Sequence, residues 1–179
     1  MFKIGADSQK KYAVENYPKR NGTTTKFIGG NHDLKWFTKD GYDVCAAIAN
    51  ERSDMEYLGQ YMAKVMLTDN CSLRIDHPLG NPSYALSYKT QRKIDNMRGG
   101  DKPNILAQGH FHYSSYFFRR NVQAINTPSF QGPNKFSNRL GLENDNGAWI
   151  IEIHVDEEGT ITDFNPHFYA FYKTAEHDY

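Results

Sequence analysis

Three short segments of this chain set side chains that can bind a metal or move a proton directly after an apolar run. The first is Phe27-Ile28-Gly29-Gly30-Asn31-His32-Asp33, the second Leu73-Arg74-Ile75-Asp76-His77-Pro78, and the third Ile105-Leu106-Ala107-Gln108-Gly109-His110-Phe111-His112. Imidazole nitrogens and an amide oxygen suit Mn, Fe, Zn or Ni better than Ca. Glycines at 29, 30 and 109 permit tight turns and a close backbone approach. Each apolar run reads as a strand, and in open α/β sheets sites form at the carboxyl ends of strands, where three such ends can converge. Strand alternation puts Leu73, Ile75 and His77 on one face, so His77 is expected at the rim of a core.

The elements that must position these turns follow from local patterning. Asp7 to Tyr17 reads as a helix capped by Asp7 or Ser8 and ended by Pro18. Thr23 to Ile28 reads as a short buried strand that stops in a sharp turn at Gly29 to Asp33. Tyr42 to Arg52 reads as a second helix, and Tyr61 to Leu67 with Cys71 to Asp76 as two strands paired through Asp69-Asn70. A helix over Ser83 to Met97, capped by Ser83 and ended by Gly99-Gly100, precedes a buried strand at Asn104 to Gln108. Strands are expected at Tyr116 to Phe118, Val122 to Asn126, Ala148 to Val155 and Ile161 to Tyr172, with a loop over Gln131 to Asn146. Helices and strands mix early and strands dominate late, which predicts an α/β fold with mixed sheets in a single domain over residues 1–179.

Other residues admit blander readings. His154, His167 and His177 read as surface histidines. Arg74 and Arg119-Arg120 could approach a phosphate but read first as solvated charges. Tyr113, Tyr116, Phe117 and Phe118 could stack on bases, but alternate residues of a strand must fill one face, so sheet packing is the first reading.

Composition excludes several classes. The formal net charge is zero, which argues against a strongly basic nucleic-acid clamp. Two cysteines, Cys45 and Cys71, do not make a disulfide framework and read as reduced and buried in a cytoplasmic protein. No stretch approaches the roughly 20 apolar residues of a membrane span, and no signal-peptide run opens the chain. The glycines around Asn31 lack P-loop spacing.

The ordered set Gly30-Asn31-His32-Asp33, His77 and Gly109-His110-Phe111-His112 resembles the calcineurin-like metallophosphoesterases. Tyr12 to Asp33 also resembles a phage and bacterial subgroup labelled DNA-repair-exonuclease-like, and the likeness runs from about Asp7 to about Val155. The resemblance implies an αββα sandwich and a hydrolase of phosphate esters, nuclease-like substrates included. It implies Asn31, His77 and His110 as ligands of one divalent metal and His112 as a ligand of a second. It implies His32 beside the scissile phosphate, stabilising the transition state or protonating the leaving oxygen, with Asp33 orienting it.

The sequence departs from the family pattern at its beginning. The family opens with Asp-x-His and then Gly-Asp-x-x-Asp, whose carboxylate bridges two metals, and neither motif precedes Gly30. The expectation is therefore an incomplete sandwich missing its first strand or strands, holding one ion rather than the two-metal clamp of about 3.5–4 Å. Completion would come from the rest of a longer gene product of which this sequence is a fragment, from a complementing N-terminal chain, or from a homo-oligomer. The alternative is an inactive scaffold or assembly module, because a sheet without its first strand exposes an edge that invites partners.

Overall fold

The structure is a computed structural model that describes residues 4–132 and 144–171. It is an α/β fold with a mixed sheet and, among the described residues, four α-helices. The chain divides into two compact units, Met1–Ala63 and Lys64–Tyr179.

The first unit carries α1 (Ala6–Asn16), β1 (Thr25–Gly29), α2 (Asn31–Asp40), α3 (Val44–Glu51) and β2 (Met55–Gln60). β1 and β2 pair in parallel, Thr25 opposite Met55 and Phe27 opposite Tyr57, with a register shift before Gly29 meets Gln60. Lys26 and Glu56 form an ion pair across this ladder. α1 lies on α3. The guanidinium of Arg52 fastens the end of α1: it donates to the carbonyls of Val14 and Tyr17 at 2.9 and 3.0 Å, and to both Asp54 carboxylate oxygens at 2.7 Å. These bonds account for a buried arginine in a chain with few buried charges.

The second unit is built on a five-stranded sheet ordered β3-β4-β5-β7-β6, with β3 Met62–Met66, β4 Ser72–Asp76, β5 Ile105–Gln108, β6 Ser115–Arg119 and β7 Val122–Asn126. β4, β5 and β7 run parallel, and β6 joins β7 as a hairpin. Its two-residue turn, Arg120-Asn121, takes φ of 49° and 64°, the left-handed pair a type I′ turn needs to match strand twist. α4 (Tyr88–Asn96) covers one face, where Ile94 packs with Leu106, Val122 and Ala124 in the buried core. A second hairpin, β8 (Gly147–Val155) with β9 (Ile161–Ala170), pairs Trp149 with Phe168 and Ile153 with Phe164. Phe164 stacks on Tyr116 of β6, centroids 5.4 Å apart.

Several local expectations change. The segment after Gly29 is not a simple turn: it opens α2 at Asn31, and the apolar-polar spacing of Leu34, Trp36 and Phe37 is helical. β2 lies outside the expected strands, since Met55-Glu56-Tyr57-Leu58 is short and its parallel partner lies 30 residues away in sequence, Thr25 opposite Met55. Gly5, not Asp7 or Ser8, stands at the N-cap of α1, with no side-chain cap. α4 begins at Tyr88 after Ser87 rather than at Ser83, and it stops at Asn96 before the glycine pair, which lies in a 3-10 turn, Gly99–Asp101. Most of the expected loop over 131–146 lies outside the described residues, as does His177. Among the described residues, no helix is long and apolar enough to cross a membrane.

Candidate functional site

β4 and β5 lie side by side in register, Asp76 opposite Gln108, so the segments that follow them start from adjacent strand ends. This parallel pairing brings His77 and His110 together across 33 residues of sequence. His110 Nδ1 lies 3.0 Å from His77 Nε2, and the two rings meet edge to face with centroids 4.7 Å apart. His110 Nε2 lies 2.7 Å from the carbonyl oxygen of Gly80, in the turn after His77. A carbonyl only accepts, so Nε2 carries the proton and Nδ1 presents its lone pair toward His77.

The turn that carries His110 is backbone-strained. His110 and His112 take φ of 74° and 58°, a region that costs a non-glycine residue on the order of 1–3 kcal/mol. Phe111 N donates back to Gly109 O at 2.9 Å, which makes the turn tight. Phe111, between the two histidines in the chain, is buried and stacks parallel to the buried Tyr113 at 5.8 Å. The apolar anchor holds the strained loop in place. His112 is exposed, and its carbonyl accepts from Asp145 N at 2.8 Å.

Beneath the two turns runs a buried polar row. Asp76, Gln108 and Asn126 are neighbours in register on β4, β5 and β7, each 3% exposed or less. Asp76 accepts from Arg74 Nε at 3.0 Å and pairs with Lys93 of α4. Asn126 Oδ1 accepts from Thr90 Oγ1 at 3.1 Å, and its amide donates to Ser115 Oγ at 2.8 Å. Among the described residues Gln108 Oε1 has no hydrogen-bond partner. The row places the sheet's polar, α4-facing side directly behind the histidines. Strand alternation through Leu73 and Ile75 pointed to the opposite face and so passed over Asp76. On β4 it is Ser72 and Asp76 that are buried, while Leu73 and Ile75 are only half-buried. An acidic residue flanked by Arg74 and followed by the basic α4 was the available signal.

Asn31, His32 and Asp33 open α2 in the first unit. Asp33 Oδ2 accepts from Gly30 N at 2.8 Å, the half of a capping box that a glycine N-cap permits, so its carboxylate serves the helix start. Asn31 and Asp33 are half-buried, and His32 is exposed. Gly29, just before, has Cys45 Sγ and Tyr57 OH 3.3 and 3.4 Å from where a Cβ would sit, so any side chain there would crowd both. Burial pushes the Tyr57 hydroxyl up to about 12, with Asp43 and Cys45 adding to the shift.

The residues considered for phosphate approach or stacking have other duties. Arg74 is committed to Asp76, Arg119 forms a bidentate pair with Asp95 at 2.8 and 2.7 Å, and Arg120 donates to Asp95 O. Tyr113 and Phe117 are packing residues. Tyr116 stacks within the protein, and Phe118 alone of the four is mostly exposed. His154 and His167 lie on the exposed face of the β8-β9 hairpin, as expected.

Among the described residues no group of three or more His, Cys, Asp or Glu side chains gathers as an ion cage. His77 and His110 supply two imidazole nitrogens aimed at one another. Tetrahedral zinc with Zn–N of about 2.0–2.1 Å would separate two such nitrogens by about 3.3 Å, against 3.0 Å here. Metal-bound histidines also commonly donate the other ring N–H to a carbonyl, as His110 does to Gly80. The contact is a hydrogen bond between the two rings, and its spacing alone resembles that of two ligands on one cation; the described residues gather no further ligand beside it.

No protein-family model matches the chain, and no curated protein does. Among solved structures it is similar to a conserved protein from Streptococcus pneumoniae described as a predicted phosphoesterase, at 11% identity over 93% of this chain and 92% of that one, TM-score 0.47. It is similar to an archaeal phosphodiesterase at 13% identity, covering 89% and 91%, TM-score 0.45. It is similar to Vps29 from Entamoeba histolytica complexed with Zn²⁺, at 15% identity over 85% of each chain, TM-score 0.38. At these values the likeness assigns no residue and no activity.

Proposed function

We propose that this chain is a metal-dependent phosphoesterase unit in which His77 and His110 hold a divalent cation, Mn, Fe, Zn or Ni. The observation that carries the reading is the 3.0 Å approach of His110 Nδ1 to His77 Nε2 while His110 Nε2 is held by Gly80 O. Ligation of one ion by both facing nitrogens requires His77 to move its proton from Nε2 to Nδ1, after which both can turn to the ion without disturbing the bond from His110 Nε2 to Gly80 O. The motif resemblance adds Asn31 as a third ligand and His112 as a ligand of a second ion. A bound cation supplies Lewis-acid polarisation of a phosphoryl oxygen and acidifies a coordinated water. In this reading His32, exposed at the start of α2, stabilises charge on the phosphoryl group or gives a proton to the leaving oxygen. Asp33 fixes the backbone that carries His32. Turnover in this reading needs carboxylate ligands beyond these residues, which a partner chain, a second copy or a further segment of a longer chain would supply.

The test is elemental analysis of chelator-free protein reloaded with Mn²⁺ or Zn²⁺, with an aryl phosphodiester assay on the same sample. About one metal per chain, lost in His77→Ala and His110→Ala, supports the centre. Hydrolysis that follows metal content supports the enzyme. Metal without hydrolysis in a clean monomer supports the scaffold alternative, and no metal uptake sinks the whole reading.

A further inference from the structure

The chain contains Asn-Gly twice, at Asn21-Gly22 and at Asn146-Gly147, and the fold treats the two steps differently. Asn21 and Gly22 are exposed in the turn between α1 and β1, which Thr23 N closes by donating to Arg20 O at 3.2 Å. Gly22, the third residue of that turn, takes φ 75°, the positive value a type II turn needs there. Among the described residues no hydrogen bond engages the Asn21 side-chain amide or Gly22 N. Beyond its chain neighbours, nothing lies within 4 Å of where a Cβ on Gly22 would sit.

Asn146-Gly147 is clamped instead. The Asn146 amide donates to Ser129 O at 3.0 Å, and Gly147 N donates to the same carbonyl at 3.1 Å. Phe171 N donates to Asn146 O at 2.9 Å. Gly147 is buried, and a Cβ there would collide with Tyr169 O. An open Asn-Gly step is reactive because glycine has no Cβ to keep its nitrogen away from the preceding side chain. A step whose amide and nitrogen are both bonded must open locally before it can react.

We propose that Asn21 is a site of spontaneous covalent modification, where the native protein converts a side-chain amide to a carboxylate through a succinimide, while the fold protects Asn146. Gly22 N loses its proton to hydroxide and forms a bond to Asn21 Cγ. The Cγ–Nδ2 bond breaks, and Nδ2 leaves as ammonia after taking a proton from water. Water then adds to one of the two ring carbonyls. Opening the bond between Cγ and the ring nitrogen leaves an aspartate at position 21. Opening the bond between the Asn21 carbonyl carbon and that nitrogen leaves an isoaspartate, with the main chain rerouted through Cγ. Nothing is oxidised or reduced, and water is the only co-reactant. Each event takes the formal net charge from zero to one negative, beside Lys19 and Arg20. The isoaspartate form also lengthens the main chain shortly before β1 begins at Thr25. The inference is independent of any metal at the histidines.

The test is incubation of the native protein at neutral and at mildly alkaline pH, with peptide masses read at positions 21 and 146 and isoelectric focusing of the intact chain. Guanidinium-unfolded protein is the reference. In the native protein position 21 should convert at least about tenfold faster than position 146, because the bonds at 146 must first open. The two rates should draw together on unfolding. Conversion at 21 should speed up with pH and give two products of equal mass that separate by chromatography. Gly22→Ala should slow it about tenfold or more, and Asn21→Ser should remove the acidic species on focusing. Equal native rates at the two positions overturn the inference, as does a native position 21 that stays intact while the unfolded chain converts. A single product formed without pH dependence overturns the succinimide route, and an acidic species that persists in Asn21→Ser places the modification elsewhere.

Discussion

The backbone N–H of Gly109 donates to the carbonyl of Asp76 at 2.9 Å. This bond extends the β4-β5 ladder one residue past Asp76 and Gln108, into the segments that hold His77 and His110. The two histidines are therefore registered by main chain, not by their own side chains. Removing either ring should leave the turns in place. His77→Ala and His110→Ala are expected to fold with near-wild-type thermal midpoints and to lose Zn²⁺ affinity at least tenfold, read by calorimetry. A large fall in midpoint in either variant would mean that the ring contact itself holds the turns.

Leu106 is fully buried at the centre of the sheet, against Ile94, Val122 and Ala124. Leu106→Ala should destabilise the protein by about 2–5 kcal/mol, measured by urea unfolding. It lies two residues before Gln108 on the same strand face, so the loss of packing should also loosen the buried polar row of Asp76, Gln108 and Asn126.

Gly159 is buried at φ 88°, and a Cβ there would meet Asn70 atoms at 2.4 to 2.7 Å, two of them backbone. Gly159→Ala should cost about 1–3 kcal/mol. The same experiment on Gly99, whose Cβ position is open and whose φ is not left-handed, should show little change. Equal effects at the two positions would contradict the packing described for the β8-β9 turn.

The Arg52 guanidinium holds the Asp54 carboxyl at about 2, below its usual value. A carboxylate depressed in the folded state contributes stability above its unfolded value of about 3.9, and that stability is lost as pH falls toward 2. Thermal midpoints should fall between pH 5 and pH 2 in wild type. Asp54→Asn should be less stable at pH 5 and show a shallower decline, and parallel curves would refute the linkage.

Burial pushes the Cys45 thiol up to about 12, with Asp33 and Asp43 adding to the shift. Its stabilising effect is present below the unfolded thiol value and is lost as pH rises from about 8.5 toward 12. At pH 8 iodoacetamide should label the native protein slowly and the urea-unfolded protein fast. Rapid labelling of native Cys45, resolved by peptide mass, would contradict the burial shown by the structure.

Local sequence was enough for the class of the fold and for the turns that follow β1, β4 and β5. β-branched and aromatic runs ending in Gly-Asn-His-Asp, Asp-His-Pro and Gly-His-Phe-His are local signals, and Val122 to Asn126 was legible to the residue for the same reason. The rest depended on packing. β2 is defined by its partner β1, which no window of sequence contains. α2 begins where glycines suggested only a turn, because the bond from Gly30 N–H to the Asp33 carboxylate and the helical spacing of Leu34 and Phe37 outweigh them. Which face of β4 is buried depended on α4 bringing Lys93 to Asp76, an ion pair across seventeen positions. Likewise, only the parallel register of β4 and β5 turned two distant histidines into a 3.0 Å pair. Residue types and turns are local properties of a chain, whereas register and the neutralisation of charge are properties of what packs against them.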